Sequence, residues 1–224
     1  MWRLQRIRIW KRRWITWFNA LSTILIILFS MVNIAIFASG NGTNAERLIN
    51  YFSSSTQVKI KLIVTNNENA GIVEKANRFK KNLQLISKAT LDNYAEQFID
   101  FLQTEKVDLI VLAGFLLKIP EQLVVAFPNR IINIHPSLLP KFGGKGMYGK
   151  YVHEAVIASK EKQSGITIHF VNEEYDKGKI ILQQSCLIDD NETTASLAKK
   201  IQELEHEFLP IAVEQIVKTT LQIH

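Results

Sequence analysis

The tightest constraint on the fold is a repeated alternation between two kinds of segment. Short apolar, β-branched runs recur along the chain with stretches of helical spacing between them. Val32 to Ala38, Val58 to Val64, Leu83 to Ile86, Asp108 to Ala113 and Arg130 to Ile134 read as strands. Ala45 to Phe52, Ala70 to Phe79, Asn93 to Lys106 and Glu121 to Phe127 read as the helices that separate them. Tyr151 to Ser159 is a further helix, Ile166 to Val171 and Lys179 to Leu187 are strands able to pair, and Thr193 to Thr219 is a long closing helix. The run Asp108 to Ala113 is nearly all apolar, as a strand covered on both faces must be. Parallel neighbours need a crossover rather than a tight turn. The pattern therefore predicts one α/β domain over residues 31–224, an open, mostly parallel sheet with helices on both faces.

The first thirty residues do not share this pattern. They hold all four tryptophans (Trp2, Trp10, Trp14, Trp17), six basic residues and no acid, then lead into an uncharged stretch, Trp14 to Ala38. A membrane span needs about 20 apolar residues, but Val32 to Ala38 is claimed by the first strand. A single span behind basic residues would also place the body outside the cell. Residues 1–30 are thus expected to be upstream sequence outside the native protein, which starts at Met31; an anchor or interfacial helix is the alternative.

Those six basic residues also explain the formal net charge of +6, because without them 21 basic residues face 21 acidic ones. A neutral body is a poor electrostatic match for nucleic acid. A single cysteine, Cys186, excludes a disulfide framework and a paired-cysteine zinc site, and suits a reducing cytoplasm.

In open parallel sheets ligands bind beyond the carboxyl ends of the strands, so chemistry is sought just after each strand. After the first, Ser39-Gly40-Asn41-Gly42-Thr43-Asn44 opens a helix. Glycines let backbone approach an anion, and the free amides of a helix start bind it. The turn lacks the lysine of a nucleotide-triphosphate loop and the third glycine of a dinucleotide fingerprint, which leaves a small phosphate monoester, or a plain turn capped by Thr43 or Asn44. At the end of the fifth strand comes Asn133-Ile134-His135-Pro136-Ser137-Leu138-Leu139-Pro140. Period two puts Asn133 and His135 on one face, where an amide and an imidazole can serve one developing oxyanion; a capping Asn beside a satisfied His is the alternative. Between the two late strands, Asp176-Lys177-Gly178 reads as a turn whose carboxylate, near His135, would favour the imidazolium. Glu173 and Glu174 are expected in solvent, and His169 in packing or in support of the residues that act. The five histidines form no metal-ligand spacing.

Together with Leu112-Ala113-Gly114-Phe115, these segments resemble the phosphoribosylglycinamide formyltransferases of the folate-dependent formyltransferase superfamily, from Met31 to about Lys218. The resemblance implies the formyltransferase fold with a Rossmann-like N-terminal half. It implies transfer of a formyl group from the co-substrate 10-formyltetrahydrofolate to the amine of glycinamide ribonucleotide, a cytoplasmic step of purine synthesis on small molecules, without metal or nucleic acid, by a monomer or weak homodimer. By the same resemblance Asn133, His135 and Asp176 are catalytic, and His135 is kept charged by Asp176. Gly42, Thr43, Asn44, Pro136, Gln202 and Glu205 would hold the ribonucleotide. Leu116, Leu117, Lys118, Ile119 and Asn133 would hold the folate.

Two departures stand out. Ala89-Thr90-Leu91-Asp92 lacks the arginine that such chains often direct at folate, and the loop Lys141 to Lys150 is longer and richer in glycine, as expected of a mobile cover. The alternatives fit less well. A methionyl-tRNA formyltransferase would carry a further C-terminal domain, and a formyltetrahydrofolate hydrolase a leading regulatory one. A membrane-tethered nucleotide-binding module would not need a proton donor paired with a carboxylate.

Overall fold

The structure, a computed structural model, describes residues 31–221. The expectations for residues 1–30 lie outside it. Seven strands form one sheet in the order β3-β2-β1-β4-β5-β6-β7. They are β1 (Val32–Phe37), β2 (Val58–Thr65), β3 (Asn82–Leu85), β4 (Leu109–Leu112), β5 (Ile131–His135), β6 (Gln163–Phe170) and β7 (Ile180–Leu187). The first five are mutually parallel. β6 runs antiparallel to β5, and β7 to β6. The mostly parallel α/β sheet expected from the alternation is what forms.

The helices are α1 (Thr43–Tyr51), α2 (Gly71–Arg78), α3 (Lys88–Asn93), α4 (Ala95–Thr104), α5 (Glu121–Ala126), α6 (Lys150–Ala158) and α7 (Thr194–Ile216), the last continuing into a π turn at Val217–Leu221. Side chains alternate across the sheet, so β1 feeds two cores. Ile34 and Ile36 pack with Leu48 of α1 and with Ile201 and Val213 of α7. Ala35 and Phe37 pack with Phe98 and Leu102 of α4 and Leu123 of α5. Ile34, Ile36, Phe37, Leu48 and Leu102 are fully buried, each worth about 1.5–3 kcal/mol relative to exposure.

Two element boundaries differ from the sequence reading. The helix expected over Asn93 to Lys106 forms as α4, and a short helix that the spacing did not show, α3, precedes it, the two parted at Tyr94 (φ −130°, ψ 31°). α3 begins at a reciprocal cap in which the Ser87 side chain accepts from the Thr90 amide and the Thr90 side chain accepts from the Ser87 amide. The closing helix gives way to the π turn at Val217. Among the described residues no helix is long and apolar enough to cross a membrane.

Because β1 is flanked by β2 on one side and β4 on the other, the strand order reverses there. A crevice must open beyond the carboxyl ends of these strands. The loops after β1, β4 and β5 all empty into it.

Candidate active site

A cleft of about 800 Å3 occupies that crevice. Each of the thirteen residues expected to act or bind lines it: Gly42, Thr43, Asn44, Leu116, Leu117, Lys118, Ile119, Asn133, His135, Pro136, Asp176, Gln202 and Glu205. Segments more than 150 residues apart in sequence, such as Asn44 and Glu205, meet there by hydrogen bonding. The Lys141 to Lys150 loop contributes Gly144 to Lys150 to the wall.

At one end is the start of α1. Gly42 is its N-cap, in the left-handed region (φ 69°), and no side chain caps the helix. Neither Thr43 nor Asn44 serves as the cap that a plain turn would need. Gly42 is obligatory on two counts: its positive φ disfavours a Cβ, and a Cβ there would sit 2.5 Å from Cδ1 of Ile72. The amides of the first turn are thus presented toward the cleft without a side-chain partner, the arrangement that binds an anion. Gln202 donates to the Thr43 hydroxyl at 3.2 Å. The Asn44 amide nitrogen donates to Glu205 at 2.8 Å, while its buried Oδ1 has no hydrogen-bond partner among the described residues. Burial pushes the Glu205 carboxyl up to about 7, against the opposing pull of that hydrogen bond.

At the centre, β5 delivers Asn133 and His135 and the β6–β7 connection delivers Asp176. Asp176 takes a left-handed conformation (φ 56°), tolerated by Asp in turns, and its Oδ2 lies 3.6 Å from Nδ1 of the His135 ring. The other ring nitrogen, Nε2, donates to the carbonyl of Phe142 at 2.8 Å. Gly144 donates its backbone amide to Asp176 at 2.8 Å. The glycine loop is therefore fastened to both members of the His–Asp pair.

Both ring nitrogens of His135 face acceptors, an arrangement that suits the imidazolium. Burial nevertheless prevails: His135 is 3% exposed, and desolvation holds it below its ordinary value although Asp176 and the Phe142 carbonyl raise it. The expectation that Asp176 keeps His135 charged is thus corrected for the resting ring, because the sequence displays the carboxylate but not the depth of the ring. Burial also acts against the Asp176 anion, yet the neighbouring His135 ring and the Gly144 amide help hold that carboxyl below its usual range.

Leu116 to Ile119, with Phe115 and Val171, form the more apolar wall. The Ser39 hydroxyl sets its position by accepting from the Leu116 amide at 2.9 Å. Below the cleft, Thr167 accepts from the Leu139 amide at 3.0 Å and donates to the Ser137 carbonyl at 2.7 Å, and Gln183 donates to it at 2.9 Å. This fully buried threonine fixes the segment that carries Phe142.

Two cleft residues escaped the sequence reading as site residues. His153, on α6, is buried with Nδ1 unpartnered among the described residues. His169, read as packing or as support for the residues that act, lies directly across the strand pair from Asn133. The available signal was a histidine between Ile168 and Phe170 within a strand, but its register against β5 is not written locally. Glu173 and Glu174 are exposed as expected. Among the described residues no cluster of three His, Cys, Asp or Glu side chains could hold a metal ion.

Comparison with known proteins adds a name to this geometry. Residues 32–213 match the formyl transferase family model. Phosphoribosylglycinamide formyltransferase of Bacillus subtilis is 34% identical over 84% of this chain and 95% of its own length. The chloroplastic phosphoribosylglycinamide formyltransferase of Arabidopsis thaliana is 42% identical over 77% of this chain, which spans only 61% of that protein's length. The crystal structure of phosphoribosylglycinamide formyltransferase from Bacillus halodurans superposes with a TM-score of 0.77 at 32% identity, covering 85% of this chain and 98% of that one. By the matched region, these relatives and the shared architecture, the chain belongs to the formyl transferase family.

Proposed function

We propose that this protein transfers the formyl group of 10-formyltetrahydrofolate to the amine of N1-(5-phospho-D-ribosyl)glycinamide, giving the formylated ribonucleotide of purine (IMP) biosynthesis. The observation that carries this reading is convergence: one cleft joins an uncapped helix start, an amide with a His–Asp pair, and an apolar wall. A phosphate at one end, a reacting carbonyl in the middle and a flat heterocycle at the other end match those three parts. The names carried by the relatives point the same way.

In this reading the phosphate rests on the amides after Gly42, near Thr43 and Gln202, and the ribose hydroxyls reach Glu205. Pro136 turns the chain so that the glycinamide lies beside His135. Leu116, Leu117, Lys118 and Ile119 receive the folate. The substrate amine attacks the formyl carbon, and the carbonyl electrons move onto oxygen. Asn133 Nδ2–H stabilises that oxyanion, an interaction typically worth about 3–4 kcal/mol.

The depressed basicity of resting His135 suits it to accept the proton lost by the attacking amine. Nδ1 is the atom for this, since Nε2 already carries the proton given to the Phe142 carbonyl, and Asp176 beside Nδ1 holds the imidazolium that forms. The same proton then passes to the leaving folate nitrogen as its bond to the formyl carbon breaks, releasing tetrahydrofolate. The tightly fastened loop covers the intermediate from water. The reaction is cytoplasmic and uses small molecules alone, on a monomer or weak homodimer.

Purified protein should consume both substrates in equal amounts, and Asn133→Ala should lower kcat by about 100-fold or more. An unchanged kcat in that variant would remove the oxyanion role.

A further inference from the structure

The Asn133 side chain poses a problem that the cleft must solve. Its amide nitrogen donates and its amide oxygen accepts, yet the two are nearly the same size, so a flip about the last torsion would turn oxyanion stabilisation into repulsion. Something has to choose between the two orientations.

We propose that His169 is a positioning residue that makes this choice, holding the Asn133 amide with its nitrogen toward the reacting centre. The inference rests on the oxyanion role of Asn133 given above. Asn133 and His169 are directly opposed across the antiparallel β5–β6 pair. His169 is 2% exposed, so water does not compete for its ring. Its Nδ1 lies 2.8 Å from the carbonyl of Phe170. A carbonyl can only accept, so that nitrogen carries a proton. In the neutral ring the other nitrogen, Nε2, is then an obligate acceptor. It lies 3.2 Å from Asn133 Nδ2. One amide hydrogen is consumed there, and the second hydrogen on the same nitrogen remains for the formyl oxygen. The flipped amide would set two lone pairs against each other.

Asp176 Oδ1 also faces Nε2 but stands beyond hydrogen-bond distance, at 3.6 Å, so the nearer Asn133 amide is the partner that Nε2 serves. Gly178 closes against the other side: a Cβ at that position would fall 1.7 Å from the Phe170 carbonyl oxygen and 3.5 Å from His169 Nδ1. Any side chain at 178 would displace the acceptor that fixes the proton on Nδ1. The glycine of the Asp176-Lys177-Gly178 turn thus protects the tautomer as well as closing the turn.

The test compares two amide replacements in two backgrounds. Asparagine at 169 reaches only as far as Nδ1 and can keep the Phe170 contact, whereas glutamine can place an acceptor oxygen where Nε2 was. His169→Asn should lower kcat by about tenfold while changing either KM by less than about twofold, and His169→Gln should recover most of that loss. In the Asn133→Ala background the same His169→Asn change should cost nothing further. An equal loss in both backgrounds, or no loss in the native one, overturns the proposal. If Asn133→Ala alone leaves kcat intact, the oxyanion reading beneath it fails instead. The nitrogen NMR shift of His169 Nε2 in the native protein gives a measurement independent of variant folding. An unprotonated Nε2 is expected, and a protonated one overturns the assignment.

Discussion

Replacing Asp176 with asparagine isolates the charge that faces His135. The change is nearly isosteric, and the new side-chain oxygen can still accept from the Gly144 amide, so the loop anchor survives. What disappears is a negative charge 3.6 Å from Nδ1. At that separation an effective dielectric of about 20 gives about 4.6 kcal/mol, or about 3 pH units. Solvent entering the open cleft reduces this, and about 1–2 units is the expected effect. The sign is fixed by the surroundings. Burial already holds His135 below its ordinary value, and Asp176 is the larger of the two influences opposing it. Without the carboxylate the ring becomes still less basic, the imidazolium formed during transfer loses its counter-charge, and kcat should fall by about 100-fold or more. Proton NMR of the His135 ring across pH, alongside kcat–pH profiles of both proteins, measures the two effects. A His135 pKa that stays put or rises in Asp176→Asn, or a kcat loss without displacement of the acid limb, would refute the reasoning.

Three further perturbations probe other parts of the site. Gly42→Ala forces a Cβ into the left-handed region and against Ile72; it should destabilise the fold by about 1–3 kcal/mol in urea titrations and raise KM for the ribonucleotide. Thr167→Val strands the Leu139 amide and the Ser137 carbonyl in the interior, and should cost about 2–4 kcal/mol of stability, with kcat reduced as the Phe142 segment loosens. Glu205→Gln imitates the neutral carboxyl that burial favours below about 7. KM for the ribonucleotide in this variant should therefore match the native value at lower pH and diverge as pH rises through that value; an offset independent of pH would contradict the assignment.

The parts of the fold that could be read from sequence are those written in local periodicity. Ile34, Ile36 and Val111 announce strands because a β-branched run leaves few other solutions. The crossovers follow because parallel neighbours cannot be joined tightly. The helix Lys88–Asn93 was not legible from apolar spacing, since only Leu91 is buried in it and its start depends on the exchange of bonds between Ser87 and Thr90. The site was legible as a set of strand ends: Gly42, Asn133, His135 and Asp176 are each of a type whose chemistry is announced by position.

Contacts made by backbone were not legible. The Phe142 carbonyl on His135 and the Gly144 amide on Asp176 involve groups that every residue carries. The same limit misled the reading of His135 itself. A neighbouring carboxylate can be inferred from motif order, whereas enclosure of the ring by β5, β6 and the loop is a property of the whole assembly. His169 belongs to this class too, because its facing of Asn133 depends on the register of two strands joined through α6.

The central claim is that this cleft moves a formyl group from a folate to an amine of a ribonucleotide. Carbon-13 NMR of the purified protein with 10-[13C]formyltetrahydrofolate and glycinamide ribonucleotide follows that carbon directly. The account predicts that the label appears in formylglycinamide ribonucleotide in step with tetrahydrofolate release, and that His135→Ala abolishes both. Label emerging as free formate, or a formyl donor left unchanged by the native protein, would contradict it.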